Sequence, residues 1–392
     1  MKIIQLNATC GVGSTGVITV EISKMLTAHN VENYILYTSG KYDYDLGIKY
    51  SNPFLVKINA MLAKIFGNYG FNSFTSTRKL INILNKINPD IIHIHNIHGH
   101  DLNLSIFFKY LKKTGVKVVW TFHDCWAFTG YCMHFDRLEC DKWKTNCHSC
   151  IQRKKYSLFF DNCEKLYNKK KKLITSLDNL TIVAPSTWLA NLTNESYLNK
   201  FPIEIINNGI DLDIFKPRES DFRHQYNLED KTVILGVPKG KLSYFIELNS
   251  IIDKDCCIVL VGVTEKDREE LPENIIGLPR TNNRHEMAQL FTMADVYVNT
   301  TLEDTFPTVN LEALACGTPI ITFNTGGSPE ALDEKTGRVV EKKNMRAVYE
   351  AIKEITAGPN MSEACVERAH MLYNAKERFE DYYTLYKGLE KK

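Results

Sequence analysis

Short apolar runs alternate along this chain with longer segments whose apolar residues recur at helical spacing. Strands that are apolar on both faces and separated by helices are typical of parallel sheets covered on both sides. The pattern therefore predicts an α/β fold with two doubly wound, Rossmann-like domains. The predicted strands are residues 2–6, 34–37, 90–95, 116–122 and 180–184 in the first half, and 233–237, 257–261, 296–299 and 320–323 in the second.

A turn-rich joint separates the two halves of the pattern. It contains Asn208-Gly209 and, shortly afterwards, Pro217, and such residues punctuate regular structure. We predict an N-terminal domain at residues 1–206, a C-terminal domain at 207–374 and a final amphipathic helix at 375–392. Residues 333–340 are predicted as a short hairpin or loop with Thr336-Gly337-Arg338 as its turn.

Composition narrows the class of protein. The 392 residues fit two or three domains, and a net charge of +2 gives no overall attraction to nucleic acid, which we exclude as a partner. No apolar run reaches the ~18 residues of a transmembrane helix. The opening segment predicts a first strand rather than a signal peptide. Eleven cysteines without such a leader fit thiols in a reducing compartment, so we expect a cytoplasmic protein.

The segment from Asp304 to Glu330 has the most informative chemistry. Pro307 precedes a stretch rich in helix formers, so a loop leads into a helix N-terminus. The free N–H groups there, near Thr308 and Val309, favour a phosphate. Glu312 is suited to accept hydrogen bonds from a ribose diol, and Asp304 to accept them from sugar hydroxyls.

The same segment continues with a characteristic string. Glu312 is followed by Cys316-Gly317-Thr318-Pro319, a buried strand and Gly326-Gly327. The whole resembles the Glu-x7-Glu region of retaining family 4 ("group 1") glycosyltransferases, including those that build bacterial capsules and exopolysaccharides. The resemblance covers essentially the whole chain. It implies two facing Rossmann-like domains with a cleft between them (the GT-B fold), and a last helix that packs back on the first domain.

That resemblance also implies an activity. Such enzymes transfer sugar from a nucleoside-diphosphate sugar, here a UDP-sugar or a GDP-sugar, to a saccharide or lipid-linked acceptor, and they need no metal or other cofactor for catalysis. The implied catalytic residues are His123, Asp304, Lys239 and Lys241. The implied donor-binding residues are Gly11, Gly13, Gly16, Asn208, Gly209, Thr305, Phe306, Thr308, Val309 and Glu312.

Two departures from the family pattern bear on activity. Asp304 stands where relatives carry glutamate. The loop at residues 238–242 is short and lacks the arginine that helps neutralise the leaving diphosphate. Lys239 and Lys241 supply charge there, although lysine lacks the guanidinium fork. A non-catalytic nucleotide-sugar binding or scaffold protein of the same fold is therefore the alternative.

The glycine loop after the first strand matches a dinucleotide fingerprint. Gly11, Gly13 and Gly16 have the G-x-G-x-x-G spacing, but no acid closes the second strand, which ends near Tyr37. The acid that would bind an adenosine ribose is thus missing, which disfavours an NAD-dependent oxidoreductase. Two interpretations stay open: a loop that approaches the donor diphosphate, or a plain tight turn between strand and helix.

Histidines gather at predicted strand ends in the first domain. His123 follows residues 116–122, so it should lie at a carboxyl strand end, where it either orients the donor sugar, as in the family, or caps the strand. His93 and His95 alternate with isoleucine and share one strand face. We expect one or two histidines of the cluster that also includes His98 and His100 to line an acceptor pocket and the others to be structural.

Cysteines cluster just beyond His123. Cys132, Cys140, Cys147 and Cys150 end in a Cys-x2-Cys pair, a pattern that suits a closed structural zinc site. The alternative is a set of buried thiols packed with Trp126, Tyr131 and Trp143.

One predicted helix and two basic runs allow two interpretations, one of which involves contact with a membrane. Phe54, Ile58, Leu62, Ile65 and Tyr69 share a helical face, and the basic runs lie at residues 153–155 and 169–172. They are either a core helix with solvated lysines, or a surface for peripheral contact with the inner face of the plasma membrane.

Overall fold

The computed structural model of this chain describes residues 1–40, 42–98, 100–238, 242–281 and 283–391. The chain divides into two compact units, Met1–Asn207 with Phe379–Lys392, and Asn208–Arg378. Each unit contains a parallel sheet with helices along the connections. The predicted α/β class with two Rossmann-like domains is confirmed.

The first unit holds a seven-stranded sheet in the described part of the chain, in the order β3-β2-β1-β4-β5-β6-β7. All neighbouring strands pair in parallel. The strand order reverses between β1 and β4, and ligands bind doubly wound sheets at the carboxyl ends of the strands beside such a point. The strands are β1 (Lys2–Leu6), β2 (Glu32–Tyr37), β3 (Gly47–Lys49), β4 (Ile91–Ile94), β5 (Lys117–Thr121), β6 (Leu180–Ala184) and β7 (Ile203–Ile205).

Helix α2 (Pro53–Phe66) of the first unit has a recognisable cap at each end. The Asn52 side chain accepts a hydrogen bond from the Phe54 amide at the start of α2, and Gly67 ends that helix in the left-handed conformation. The helices are α1 (Gly13–Ala28), α2 (Pro53–Phe66), α3 (Phe74–Ile87), α4 (Leu104–Thr114), α5 (Arg153–Tyr156), α6 (Cys163–Ile174) and α7 (Thr187–Glu195).

The second unit holds a six-stranded sheet among its described residues, in the order β10-β9-β8-β11-β12-β13 and again parallel. Its strands are β8 (Thr232–Gly236), β9 (Cys256–Val261), β10 (Ile275–Leu278), β11 (Val296–Asn299), β12 (Ile320–Phe323) and β13 (Gly337–Val340). Its helices are α8 (Phe222–Gln225), α9 (Leu242–Asn249), α10 (Glu265–Glu269), α11 (Arg284–Met293), α12 (Thr308–Ala315), α13 (Met345–Ala357) and α14 (Ser362–Tyr373).

Apolar residues cover both faces of the second sheet. Along β8, Val233 and Leu235 belong to one buried cluster, while Ile234 between them belongs to another. This alternation follows from the two-residue repeat of a strand. It explains why the inner strands of this sheet appear in the sequence as continuous apolar runs.

The predicted hairpin at residues 333–340 is wrong. Gly337 does not make a turn but begins β13, which pairs in parallel with β12 and places Gly337 opposite Ile320. A Cβ atom on Gly337 would lie 2.0 Å from the Ile320 carbonyl oxygen. The glycine therefore permits a close approach between two backbones.

The last helix, α15 (Ala375–Glu390), packs its aromatic face in the first unit from Phe379 onward. Tyr386 and Tyr382 are buried there. The Tyr386 hydroxyl lies 2.7 Å from His93 Nδ1, and the Tyr382 hydroxyl lies 3.2 Å from Thr121 Oγ1.

Candidate functional site

Two loops at the carboxyl edge of the second sheet are bound to each other. One follows β11 and carries Asp304, and the other follows β12 and carries Gly326. The Thr325 hydroxyl donates a hydrogen bond to the Leu302 carbonyl at 2.7 Å, and the Gly327 amide donates to the Asp304 carbonyl at 3.2 Å. The position of Asp304 therefore depends on the second loop.

Gly326 makes this contact between loops sterically feasible. Its φ angle is +55°, and a Cβ atom at this position would lie 1.8 Å from the Asp304 carbonyl oxygen. A larger residue would have to push the Asp304 backbone away. The sequence predicted a glycine loop at this point, but not that the loop supports Asp304.

The Asp304 loop turns directly into α12. The Asp304 carboxylate accepts a hydrogen bond from the Phe306 amide at 3.2 Å, and the Asn208 side chain donates to the Phe306 carbonyl at 3.1 Å. No side chain caps the start of α12, which has Pro307 at its N-cap. The amide groups at Thr308 and the following residue thus begin a helix whose positive end favours an anion.

The two carboxylates predicted to bind the donor both influence the pKa of one buried phenol, that of Tyr297. Burial raises the pKa of Tyr297 well above its usual range, and the charges of Glu312 and Asp304 raise it further. Glu312 also contributes, after burial, to raising the pKa of the Cys316 thiol to about 12. Glu312 itself is half-buried. Asp304 and Glu312 therefore both lie within electrostatic range of Tyr297.

A pair of buried amides fixes α12 to the sheet. Asn299 Nδ2 donates to Asn310 Oδ1 at 2.8 Å, and both side chains are buried. The sequence analysis missed this pair. A polar residue at the end of an apolar strand and another inside an apolar helix were the available signal.

The two lysines predicted to neutralise the diphosphate cannot be placed at the site. Lys239 and Lys241 lie outside the described residues, between the end of β8 and the start of α9. Their role in neutralising a diphosphate therefore stays a prediction.

Two cavities of the second unit do not include this loop cluster. A cavity of about 580 Å³ is lined by Thr232 and Pro319, at the amino ends of β8 and β12. Ligands of doubly wound sheets bind at the opposite, carboxyl edge, so this cavity is not the candidate site. A second cavity of about 600 Å³ lies between α8 and α11 and includes Arg280, just after β10.

In the first unit, a chain of hydrogen bonds begins inside the sheet and reaches His123. Gln5, on β1, donates its amide Nε2 to the Thr19 carbonyl at 2.9 Å. Its Oε1 lies 3.2 Å from His95 Nε2. His95 Nδ1 in turn lies 3.0 Å from His123 Nε2.

The donor and acceptor of each hydrogen bond in this series follow from the first bond, between Gln5 and Thr19. The Thr19 carbonyl can only accept, so Gln5 must present its oxygen to His95. Burial, with the neighbouring histidines, lowers the pKa of His95 well below its usual value, so this imidazole is neutral. Its proton is then on Nε2, and its Nδ1 accepts from His123 Nε2–H. A neutral His123 consequently carries a lone pair, not a proton, at Nδ1.

We expect His123 to stay neutral from pH 5 to pH 8. Burial lowers its pKa to about 4, against a smaller opposing effect of Asp124. A depressed histidine pKa means that the unfolded chain binds more protons, so this group costs stability as the pH falls from 6.5 towards 4. Long-range ¹H–¹⁵N NMR of labelled histidines should show the Nε2–H form.

His98 provides the internal comparison for that titration. Burial alone would lower its pKa, but the Asp124 carboxylate, 2.8 Å away, raises it above its usual value. His98 should therefore titrate at a higher pH than His123, and His123→Asn identifies the relevant signals. A His123 midpoint above pH 6, or an Nδ1–H tautomer, would contradict the hydrogen-bond chain.

His93 and His95 do not line a pocket. Both are buried, their ring centroids lie 4.0 Å apart, and His93 contacts Tyr386 and Thr121 through its two nitrogens. These two histidines, which were predicted to share one strand face, form hydrogen bonds inside the protein. His123, half-buried beyond β5, lies nearer the surface.

The glycine loop is a compact turn with one open position. The Gly11 amide donates to the Gly16 carbonyl at 2.9 Å, and the Tyr42 ring lies where a Gly11 Cβ atom would project. Gly13 begins α1 at a φ angle of +71°, and no atom lies within 4 Å of where its Cβ would be. Gly11 and Gly16 are thus required for packing, while Gly13 leaves space at a helix N-terminus.

The four cysteines do not form the predicted zinc set. Among the described residues, no group of three or more His, Cys, Asp or Glu side chains is placed to hold a metal ion. Cys147 instead accepts a hydrogen bond from the Gly130 amide at 3.2 Å, and Cys132 accepts one from Gln152 at 3.4 Å. With Cys140 and Cys150 they pack against the aromatic core, as free thiols.

Comparison with known proteins gives these sites a context. The family model described as Glycosyltransferase Family 4 matches residues 15–214, and the model described as Glycosyl transferases group 1 matches residues 237–371. The chain is 22% identical over 423 aligned residues to the putative colanic acid biosynthesis glycosyl transferase WcaC of Escherichia coli K12, covering 99% of this chain and 100% of that protein.

Solved structures share the fold at low sequence identity. Sucrose-phosphate synthase from Thermosynechococcus elongatus superposes with a TM-score of 0.72 at 16% identity, covering 99% of each chain. Anabaena Alr3699/HepE, solved with UDP, has a TM-score of 0.70 at 14% identity, covering 99% of this chain and 100% of that chain. The group 1 model accounts for most of the second half of the chain. The Glycosyltransferase Family 4 model spans more than half of the 392 residues, and this chain therefore belongs to glycosyltransferase family 4.

Proposed function

We propose that this glycosyltransferase moves a sugar from a nucleoside-diphosphate sugar to a saccharide or lipid-linked acceptor with retention of configuration. One observation carries the proposal: Asp304 and Glu312 flank a helix N-terminus without a side-chain cap, at the carboxyl edge of the second sheet. A sugar nucleotide has the matching parts, which are two sets of hydroxyls joined by a diphosphate.

Each group has a separate role in the proposed donor complex. Glu312 accepts hydrogen bonds from the ribose diol, and Asp304 accepts them from the hydroxyls of the transferred sugar. The amides at Thr308 and Val309 bind the diphosphate. Thr305, Phe306, Asn208 and Gly209 shape the loop around them, and Phe306 is held through its carbonyl by Asn208.

The chemical step requires charge stabilisation more than a nucleophile. The bond between the sugar and the diphosphate breaks, the acceptor oxygen bonds to the same carbon on the same face, and its proton passes to the departing diphosphate. The helix amides, with Lys239 and Lys241, stabilise the charge that develops on that leaving group. His123 orients the sugar through the nitrogen that its hydrogen bond with His95 leaves unprotonated.

We infer that the donor is a UDP-sugar or a GDP-sugar and that the product enters a bacterial surface polysaccharide. HepE has been solved with UDP-glucose, and the WcaC similarity extends over the whole of that protein. Specificity depends on the shape of the pocket, which one fold varies widely.

A binding panel followed by a transfer assay tests this function. UDP, GDP, their sugars and NAD are added separately to the purified chain and thermal unfolding is followed. A ligand at a hundredfold excess over its dissociation constant adds ~2.7 kcal/mol of stability. We expect one nucleotide and its sugars to raise the Tm, and NAD to have no effect. Stabilisation by NAD alone would overturn the proposal.

The short loop at residues 238–242 makes a non-catalytic binding protein the second candidate, because it lacks arginine. The transfer assay separates the two. Release of the nucleoside diphosphate, dependent on a lipid-linked acceptor extract, supports the enzyme. Binding without turnover, for every donor and with a competent acceptor, supports the scaffold.

A further inference from the structure

The helix α2 is apolar but scarcely buried. Of its fourteen residues only Ala63 is buried, while Phe54 is 68% exposed and Met61 is 55% exposed. A helix that serves a core buries its apolar stripe. Ile58, Leu62 and Ile65 of the predicted stripe remain only partly covered. The expectation of an ordinary core helix is therefore wrong.

A second exposed apolar segment adjoins α2. Phe159 is 68% exposed and Phe160 is 52% exposed, and the Phe160 ring stacks on Phe66 of α2 with centroids 6.5 Å apart. The Leu158 amide donates to the Lys64 carbonyl at 2.8 Å. We call the surface formed by α2 and residues 151–160 the α2 face.

Hydrogen bonds make the α2 face one rigid surface rather than two separate segments. The Lys64 ammonium donates to the Lys154 carbonyl at 2.8 Å, and the Asn162 side chain donates to the Phe66 carbonyl at 2.7 Å. The Tyr131 hydroxyl, behind this surface, accepts from the Asn162 amide at 2.7 Å. The exposed rings are thus presented in a fixed arrangement.

The α2 face carries charge of one sign. Neither α2 nor residues 151–160 contain an aspartate or glutamate, and the basic residues there are Lys57, Lys64, Arg153, Lys154 and Lys155. The other basic run contributes less than the sequence indicates. Lys170 is buried and donates to the Trp126 carbonyl at 2.5 Å, and the Lys169 ammonium lies over the Phe71 ring.

We propose that the α2 face binds the surface of an anionic lipid bilayer. Phe54, Met61, Phe159 and Phe160 enter the boundary between headgroups and acyl chains, and the basic residues contact lipid phosphates. An apolar helix surface whose own charged residues are all basic has the chemistry of an interfacial anchor. No described helix has the length and apolarity to cross a bilayer.

Vesicle flotation with the full chain tests this surface. One set of vesicles contains phosphatidylcholine alone, and the other contains phosphatidylcholine with phosphatidylglycerol. We expect binding to the anionic vesicles, weakened by 0.5 M salt because screening shortens the reach of the charges. The measurement does not involve a sugar nucleotide, so its outcome is independent of the proposed transfer activity.

Two variants of exposed residues separate the apolar and charged contributions. Phe54→Ser/Phe159→Ser/Phe160→Ser should lower the partition coefficient by about 30-fold or more. Lys57→Glu/Lys154→Glu/Lys155→Glu should lower it by about 100-fold or more. Lys64 is spared because it holds the two segments together. The matched controls, on exposed positions of the second unit, are Ile246→Ser/Met371→Ser/Leu372→Ser and Lys266→Glu/Lys335→Glu/Arg346→Glu.

The outcomes are distinct. Loss of vesicle binding in both α2-face variants, with both controls binding like wild type and all proteins folded by circular dichroism, supports the proposal. Absence of wild-type binding to anionic vesicles overturns it, and so does equal binding by the α2-face variants. A wild-type dimer that the apolar variant dissociates, without vesicle binding, would assign the face to a second copy of the chain instead.

Discussion

Replacing Gly326 with alanine should destabilise the second unit by about 2–5 kcal/mol and displace Asp304. The φ angle of +55° costs a residue with a Cβ atom roughly 1–2 kcal/mol. The new methyl group would lie 1.8 Å from the Asp304 carbonyl oxygen, and relieving such overpacking costs about 1–3 kcal/mol more. Under the proposed function, donor binding should be lost with it.

Gly262→Ala is the matched control for this substitution. Gly262 lies in the same unit at a φ angle of +90°, but no atom lies within 4 Å of where its Cβ would be. It should therefore show the conformational cost without the clash. Equal destabilisation by the two substitutions would show that the close contact with Asp304 does not contribute to the loss of stability in Gly326→Ala.

The measurement has to report on the second unit. All four tryptophans, at positions 120, 126, 143 and 188, lie in the first unit. Tryptophan fluorescence therefore follows the wrong part of the chain. Hydrogen exchange of the β11 and β12 amides, which flank the two loops, reports the stability of interest.

Glu312→Ala should lower kcat/KM for donor by roughly 100- to 10,000-fold with little change in stability. Two hydrogen bonds from a ribose diol to a carboxylate contribute roughly 1.5–3 kcal/mol each, and each 1.36 kcal/mol corresponds to about a tenfold rate. Glu312 is half-buried on α12, so its truncation opens no core cavity. Initial rates and nucleotide dissociation constants should be measured together.

Two further variants sharpen that test. Glu312→Gln keeps the shape of the side chain and one acceptor oxygen. Its kcat/KM for donor should therefore lie between the values of wild type and Glu312→Ala. Glu350→Ala removes an exposed acid from α13 of the same unit and should behave like wild type. Unchanged nucleotide affinity in Glu312→Ala would remove this residue from the donor site.

The strands that the sequence predicted well are buried on both faces. Residues 2–6, 180–184, 296–299 and 320–323 were placed with the bounds that the structure has. The strands that were missed, β3, β7, β10 and β13, include all four sheet edges. Edge strands have less of their surface covered, so their sequences lack the continuous apolar run on which the prediction depends.

The candidate site divides along a similar line. The loop into α12 and the acids at positions 304 and 312 could be located from helix and turn patterns, because those depend on neighbouring residues. Gly326, Gln5 and Asn299 could not be assigned their contacts, because each acts on a residue brought close by the fold alone. Four cysteines with suitable spacing likewise did not make a metal site.

The sequence by itself determined the α/β class, the inner strands of both sheets and the segment at residues 304–330, because each leaves a periodic or local pattern. Only the tertiary structure decided the tautomer of His123, the support of Asp304 by Gly326 and the exposure of α2. Each of these depends on distances between residues far apart in the chain. Helical periodicity shows that α2 has an apolar face, but burial depends on what packs against it, and here little does.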